Sequence, residues 1–165
     1  RKCLRKPLLL FIFRRYIILN INAKYFGEVS YEENEMIHII NGLFGFETYT
    51  KYLPLPFHEE DDSMISLQNL EDETLSFILM NPFMIYPDYA PELSQEDLKE
   101  LGASSIEDIS FYVISVIREP IDTSTVNLKA PLIVNALNRK AKQIILEQPE
   151  YSFRHILNRT NKEGE

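Results

Sequence analysis

The chain has 165 residues, 45% of them apolar and 25% charged, with a formal net charge of −8 at pH 7. That length suits one domain with a sizeable core and requires no covalent staples. The single cysteine, Cys3, excludes an internal disulfide and makes the cytoplasm the expected compartment.

Charge is unevenly spread. Residues 1–20 hold six of the 17 basic side chains and no acid, so the remainder carries 11 basic against 25 acidic residues, a balance of −14. Such a surface repels nucleic acid and anionic membrane and attracts basic partners. The run Pro7-Leu-Leu-Leu-Phe-Ile-Phe13 looks like a signal peptide, but Arg14 and Arg15 interrupt it and no small-residue cleavage site follows. It is also too short to span a bilayer.

Ile21 to Tyr31 alternates apolar and polar side chains around Gly27, which predicts a half-buried strand or hairpin. Met36 to Ile40 is a second strand, ended by the turn pair Asn41-Gly42. Tyr49 to Leu55, Met64 to Leu70 and Thr74 to Met80 read as further strands. Between them lie two acidic turns, one carrying Glu59, Glu60, Asp61 and Asp62, the other Glu71, Asp72 and Glu73.

The segment from Met80 to Leu93 holds Pro82, Pro87 and Pro91, which argue against helix and central strand alike and predict a rigid corner in which Asp88 is expected to be buried. Its aromatic residues, Phe83, Tyr86 and Tyr89, either plug the end of a β core or present a stiff surface to a partner. Phe83 is expected in the core and one of the two tyrosines on a binding surface. Ser94 to Gly102 reads as one short helix, with Ser94 as cap, acids in the first turn and Gly102 as terminator.

A turn at Ser104 to Asp108 leads into Ile109 to Ile117, a central strand by its apolar content. Ala130 to Leu137 and Lys142 to Glu147 form a last pair around Asn138 to Ala141. Many short strands and a single helix indicate an all-β, barrel-like antiparallel fold with one short helix. Residues 19–157 are expected to form the domain, 1–18 an extension and 158–165 a flexible tail.

Signatures of catalysis are sparse. With five glycines there is no phosphate-cradling loop, zinc bound through cysteine is excluded, and His38, His58 and His155 lack ligand spacing. Ser76 and Ser110 sit in strands without a glycine elbow. His58 beside its acids reads as a solvated loop rather than a cation site. A buried Asp88 could serve as a general acid, although an acid in such a corner more often accepts local backbone donors. No catalytic, cofactor or metal residue is assigned.

The ordered pieces GLFGFE from Gly42, NPFMIYPDYAPEL from Asn81, TVNLKAPLIVN from Thr125, KQIIL from Lys142 and YSFRH from Tyr151 resemble the FliW family of flagellar assembly factors. The resemblance runs from about Ile21 to Ile156. It implies a non-enzymatic protein, monomeric when free, that binds the basic dimeric translational regulator CsrA, relieves repression of flagellin messenger RNA, and also binds flagellin. Inhibition of CsrA in the family is noncompetitive, so the acidic surface need not mimic RNA. No direct nucleic acid or membrane partner is implied. Candidate partner-binding residues are Tyr86, Asp88 and Tyr89 in the corner and Glu59, Glu60, Asp61, Asp62, Glu71, Asp72 and Glu73 in the acidic turns. The alternative is an enzyme or small-ligand barrel that uses the Asp88 corner as its pocket. The family usually has proline where Phe44 stands and often glycine where Ala141 stands; Ala141 implies that the hairpin before Gln143 needs no positive φ.

No methionine precedes Met36, and residues 1–18 are expected to be translated upstream sequence. Arg14-Arg15 can be written AGGAGA or AGGAGG, a ribosome-binding sequence, with Leu19 written TTG as the start codon. Reading the gene checks this: CGN codons at Arg14-Arg15, or CTN at Leu19, exclude the expectation.

Overall fold

The computed structural model describes residues 17–157. The basic stretch through Tyr16 and the tail from Asn158 lie outside the described residues. A hairpin of β1 (Ile18–Ala23) and β2 (Gly27–Glu32) opens the fold, its turn closed by Gly27 at φ 70°. Beyond it come β3 (Ile37–Ile39), β4 (Lys51–His58), β5 (Asp61–Asn69) and β6 (Ser76–Met80). After two short helices the chain continues through β7 (Ile109–Val116), β8 (Thr125–Val126), β9 (Leu132–Asn135), β10 (Lys140–Gln143) and β11 (His155–Ile156).

Strands β3, β4, β5, β6, β7, β9 and β10 close into a seven-stranded barrel. Closure is made by β7, which pairs with β6 on one side and with β9 on the other, Ile109↔Asn135 through Tyr112↔Leu132. The pairs are antiparallel except β3 with β10, where His38 and Ile39 lie beside Lys140 and Ala141 in parallel. Ile37, Ile39, Leu67, Leu79, Leu132 and Val134 fill the interior. At the end of the barrel near residue 69, Tyr52 Oη and Asn69 Nδ2 are buried next to one another without a well-formed hydrogen bond. Burial pushes the Tyr52 hydroxyl above its ordinary pKa, and Asn69 pulls back.

Two layers cover the barrel outside. Ile21 and Tyr31 of the hairpin pack on Leu53. On the opposite side Leu98, Leu101, Phe111, Ile133, Leu146 and Tyr151 form a second cluster. Its helix, α2 (Gln95–Leu101), is capped as its sequence predicts, with the Asp97 amide donating to Ser94 Oγ at 3.1 Å and Gly102 in the left-handed region at φ 65°. Leu101 O accepts from Asn135 Nδ2 at 3.0 Å and Asn138 Nδ2 at 2.8 Å, and Lys142 Nζ reaches Asp97 Oδ1 at 2.9 Å and Glu100 Oε2 at 2.8 Å. Partial burial tends to raise the Asp97 pKa, yet Ser94 and Lys142 outweigh it and hold the carboxyl below its ordinary range.

Two strand-level expectations are corrected. The β9–β10 hairpin turns at residues 136–139, earlier than the sequence suggests, because Asn135 Oδ1 accepts from Leu137 N at 3.0 Å and starts the turn there. Arg139 takes φ 62°, so the hairpin does need a positive φ; Ala141 is spared it because it already lies in β10.

Gly42 is constrained more tightly than any turn propensity implies. It has φ 68°, and a Cβ there would lie 2.7 Å from Glu47 Cα and 2.8 Å from Phe46 O, both backbone atoms that cannot swing aside. Gly27 has φ 70° but nothing within 4 Å of such a Cβ. Gly42→Ala is therefore expected to cost roughly 3 kcal/mol or more and Gly27→Ala only about 1 kcal/mol. Urea unfolding of the two variants checks the ranking.

Candidate partner-binding surface

The first acidic turn is the tip of the β4–β5 hairpin. Both strands run further than the sequence suggests, to His58 and from Asp61, leaving Glu59-Glu60 as the turn. Asp61 Oδ1 accepts from Ser63 N at 3.0 Å, and the Ser63 hydroxyl and amide hold the Asp61 carboxyl below its ordinary pKa. Asp62 Oδ2 accepts from Tyr112 Oη at 2.9 Å. Burial, then the bond to Asp62, push the Tyr112 hydroxyl upward, so that it stays a donor at any physiological pH. The tip acids are exposed.

Glu71, Asp72 and Glu73 sit at the other end of β5. Eight residue steps of extended strand separate Asp61 from Asn69, about 26 Å, so the two acidic turns are separate patches. The second turn is also committed to structure. Asn69 Oδ1 accepts from the amides of Glu71 at 2.7 Å and Asp72 at 2.6 Å. Glu71 Oε2 accepts from Thr50 N at 3.2 Å, Glu73 Oε1 from Asn22 N at 3.2 Å, and Asp72 Oδ1 from Thr74 N at 2.9 Å.

The corner differs from expectation in three respects. Pro82 does not prevent a helix: it occupies the first position of a single turn, α1 (Pro82–Ile85), where its missing N–H costs nothing, and Asn81 Oδ1 caps Phe83 N at 3.1 Å. Asp88 is exposed, and its carboxylate accepts no hydrogen bond among the described residues; the neighbouring amides bond to Tyr86 O and Tyr151 Oη instead. Phe83 is 42% exposed and Met84 64%, because the first helical turn points outward, although Phe83 still meets Phe111 edge-on at 5.8 Å. Tyr89 is the plug: it is 3% exposed, its Oη donates to Leu128 O at 2.9 Å, and its ring lies 4.7 Å from Tyr151. Tyr86 is half-buried between Tyr151 and His155.

Open cavities lie elsewhere, among them a shallow one of about 420 Å³ beside His38 and Lys51 and two others. One of about 450 Å³ opens between Pro54 and Pro56 of β4 and Arg139. The other, about 860 Å³, runs from Phe44 past Ser94 to Ile145. Asp88 lines none of these cavities. Among the described residues no three His, Cys, Asp or Glu side chains converge to hold a metal, and no helix is long and apolar enough to cross a membrane.

The family model described as FliW protein matches residues 20–157. The chain belongs to the FliW family. It is 37% identical over 137 residues to the flagellar assembly factor FliW of Bacillus velezensis, covering 83% of this chain and 95% of that protein. With the factor of the same name from Shouchella clausii it shares 34% over 146 residues, 88% and 99% of the two chains. A crystal structure of the flagellar assembly factor FliW superposes with a TM-score of 0.78 at 30% identity, covering 84% of this chain and 96% of that one. The family resemblance and the all-β barrel expected from sequence are thereby both established.

One exposed group escaped the sequence reading. Tyr25 and Phe26 at the β1–β2 turn lie 5.9 and 5.3 Å from Phe57 and form an aromatic patch on the outer side of the acidic hairpin. The signal was present in two adjacent aromatics beside a turn glycine, but their partner comes from a distant strand.

The corner separates structural from surface residues by stability. Tyr89→Phe leaves the buried Leu128 carbonyl unpaired and is expected to cost about 1–2 kcal/mol, whereas Asp88→Asn should change stability by less than about 0.5 kcal/mol. Thermal and urea unfolding check both; an Asp88→Asn variant as damaged as Tyr89→Phe contradicts the assignment.

Proposed function

We propose that the protein serves flagellar assembly through protein binding: it captures a CsrA-type translational regulator, relieves repression of flagellin messenger RNA, and binds flagellin. The setting proposed is the cytoplasm, with no direct nucleic acid or membrane partner. One observation carries the reading. The exposed acids Glu59, Glu60, Asp61 and Asp62 form a projecting hairpin tip, while the ion pairs of the described residues occupy Lys142, Asp97 and Glu100 instead. Exposed uncompensated carboxylates of this kind steer a basic partner during encounter.

The tip is the steering element rather than the second acidic turn, because Glu59 and Glu60 accept no hydrogen bond among the described residues, whereas Glu71, Asp72 and Glu73 each accept one from a backbone amide. The corner supplies a different kind of surface. Phe83, Met84 and the edge of Tyr86 are apolar, exposed or half-buried, and kept in place by Pro82 and Pro87, so docking there costs little ordering entropy. It suits the apolar face of a partner such as flagellin.

Replacing Glu59, Glu60 and Asp61 by their amides is expected to slow CsrA association several-fold at low salt, leave dissociation nearly unchanged, and flatten the salt dependence. Stopped-flow kinetics over a salt series, with flagellin binding as control, tests this. Association rates that respond neither to salt nor to the substitutions contradict the steering role. Phe83→Ala is expected to weaken flagellin by on the order of 2 kcal/mol with the melting temperature nearly fixed, as measured by calorimetry beside thermal unfolding.

A further inference from the structure

The barrel wall has a gap, and its chemistry selects a ligand. β4 spans Lys51–His58, but β3 pairs with it only at Tyr52 and Lys51, so among the described residues no strand lies beside the edge of β4 beyond Leu53. Lys51 O bonds toward β5, through Leu70 N at 3.0 Å, so by strand alternation the backbone groups of residues 54 and 56 face the open edge. Both are prolines. The edge therefore offers carbonyl acceptors without the matching donors, and a strand cannot add to it in register.

Behind this edge lies the cavity of about 450 Å³, a size within the range of small-molecule sites. Its floor is the barrel interior, with Ile37, Ile65, Leu132 and Val134 lining it together with Pro54 and Pro56. Its rim carries the carboxylates of Glu35, Glu59, Glu60, Asp61 and Asp62 against one cation, Arg139. Inside the rim, Tyr112 donates its hydroxyl to Asp62 and so offers no free donor of its own. Apolar walls under a rim of five carboxylates and one guanidinium match a ligand with an aliphatic body and a donor-only cationic head. A carboxylate or phosphate would meet five like charges, and a neutral alcohol would leave the rim unpaired.

The geometry points to an alkylammonium site: a short aliphatic chain lies in the cavity beside Pro54 and Pro56, against Ile37, Ile65, Leu132 and Val134, and its protonated amine is held by the rim carboxylates. A primary amine of this type carries its full charge at neutral pH and has three donors and no acceptor. The same chemistry is presented by a free aliphatic amine and by a lysine side chain of a bound protein.

The test titrates the full chain with n-hexylamine, n-hexanol and hexanoate, following the methyl resonances of Ile37, Ile65, Leu132 and Val134. Hexylamine is expected to saturate and to bind roughly tenfold or more tightly than hexanol, with hexanoate silent. Glu60→Gln combined with Asp62→Asn should bring hexylamine down to the hexanol level, while the new amide oxygen at position 62 still accepts from Tyr112. Ala136→Phe, at an exposed position on the cavity wall, should block the amine without entering the core. Equal binding of amine and alcohol, methyls that do not move, or indifference to both variants overturns the site. Nα-acetyl-lysine amide beside its Nε-acetylated form distinguishes the sources: binding as tight as hexylamine, lost on acetylation, identifies a partner's lysine, and binding by hexylamine alone identifies a free amine.

Discussion

Strand β7 is the element on which the rest of the structure depends. Its first half, Ile109 to Tyr112, closes the barrel against β9, while Ser115 and Val116 leave that partner and pair with β8. Alternation along it is strict in burial, with Ile109, Phe111, Val113 and Ser115 buried and the residues between them half-buried. One face of β7 therefore anchors the outer cluster and the other contributes Tyr112 and Ile114 to the interior. Where β7 changes partners, the sheet splays, and the space outside it is filled by the corner: Tyr89 bonds to Leu128 just beyond β8, and Tyr151 caps Ala90. The corner is stiff because the divided strand gives it a fixed bed.

How much of this could be read from residues alone follows from the range of each interaction. The α2 helix was legible to the residue, since Ser94, Asp97 and Gly102 act within one or two turns of it. The hairpin about Gly27 and strands β5 and β6 were legible as elements but not in their bounds, β5 beginning at Asp61 rather than Met64 and β6 at Ser76 rather than Thr74. Barrel closure was legible only as a class, because the parallel pairing of β3 with β10 joins segments about a hundred residues apart and leaves no local periodicity. The misreadings share a cause. Asp88 looked buried because its neighbours are proline and tyrosine, yet burial is decided by which side of the chain meets β7, and Tyr89 takes that side. Arg139 accepts a left-handed φ that favours glycine because the side chains of Asn135 and Asn138 fix the turn around it, Asn135 Oδ1 accepting from Leu137 N and Asn138 Oδ1 from Lys140 N, both at 3.0 Å.

The candidate surface was partly legible. The sequence located the acids but not the difference between Glu59 and Glu60, which accept no hydrogen bond among the described residues, and Glu71 and Glu73, which accept from the amides of Thr50 and Asn22. Nor does sequence show that Pro54 and Pro56 lie on an uncovered edge, since the same prolines would suit any edge strand.

Those two prolines connect fold with function. An open edge beside an apolar interior is an aggregation hazard, since it could template a further strand. Prolines at the alternate positions whose donors would face outward remove that route while leaving the opening itself intact. Because β3 runs antiparallel to β4, with Ile37 beside Tyr52, filling the gap would require β3 to begin a few residues earlier. A single 3-10 turn at Glu33–Glu35 occupies those residues instead, fixed by the Glu35 carboxylate accepting from Glu32 N at 2.6 Å. The chain thus starts β3 late by one device and protects the exposed edge by another. Acids gathered around the same opening add a third, because like charges on two copies oppose face-to-face association while leaving cationic groups welcome. An opening protected in this manner against strands and against its own kind, yet left apolar inside, is built to receive something small and positively charged.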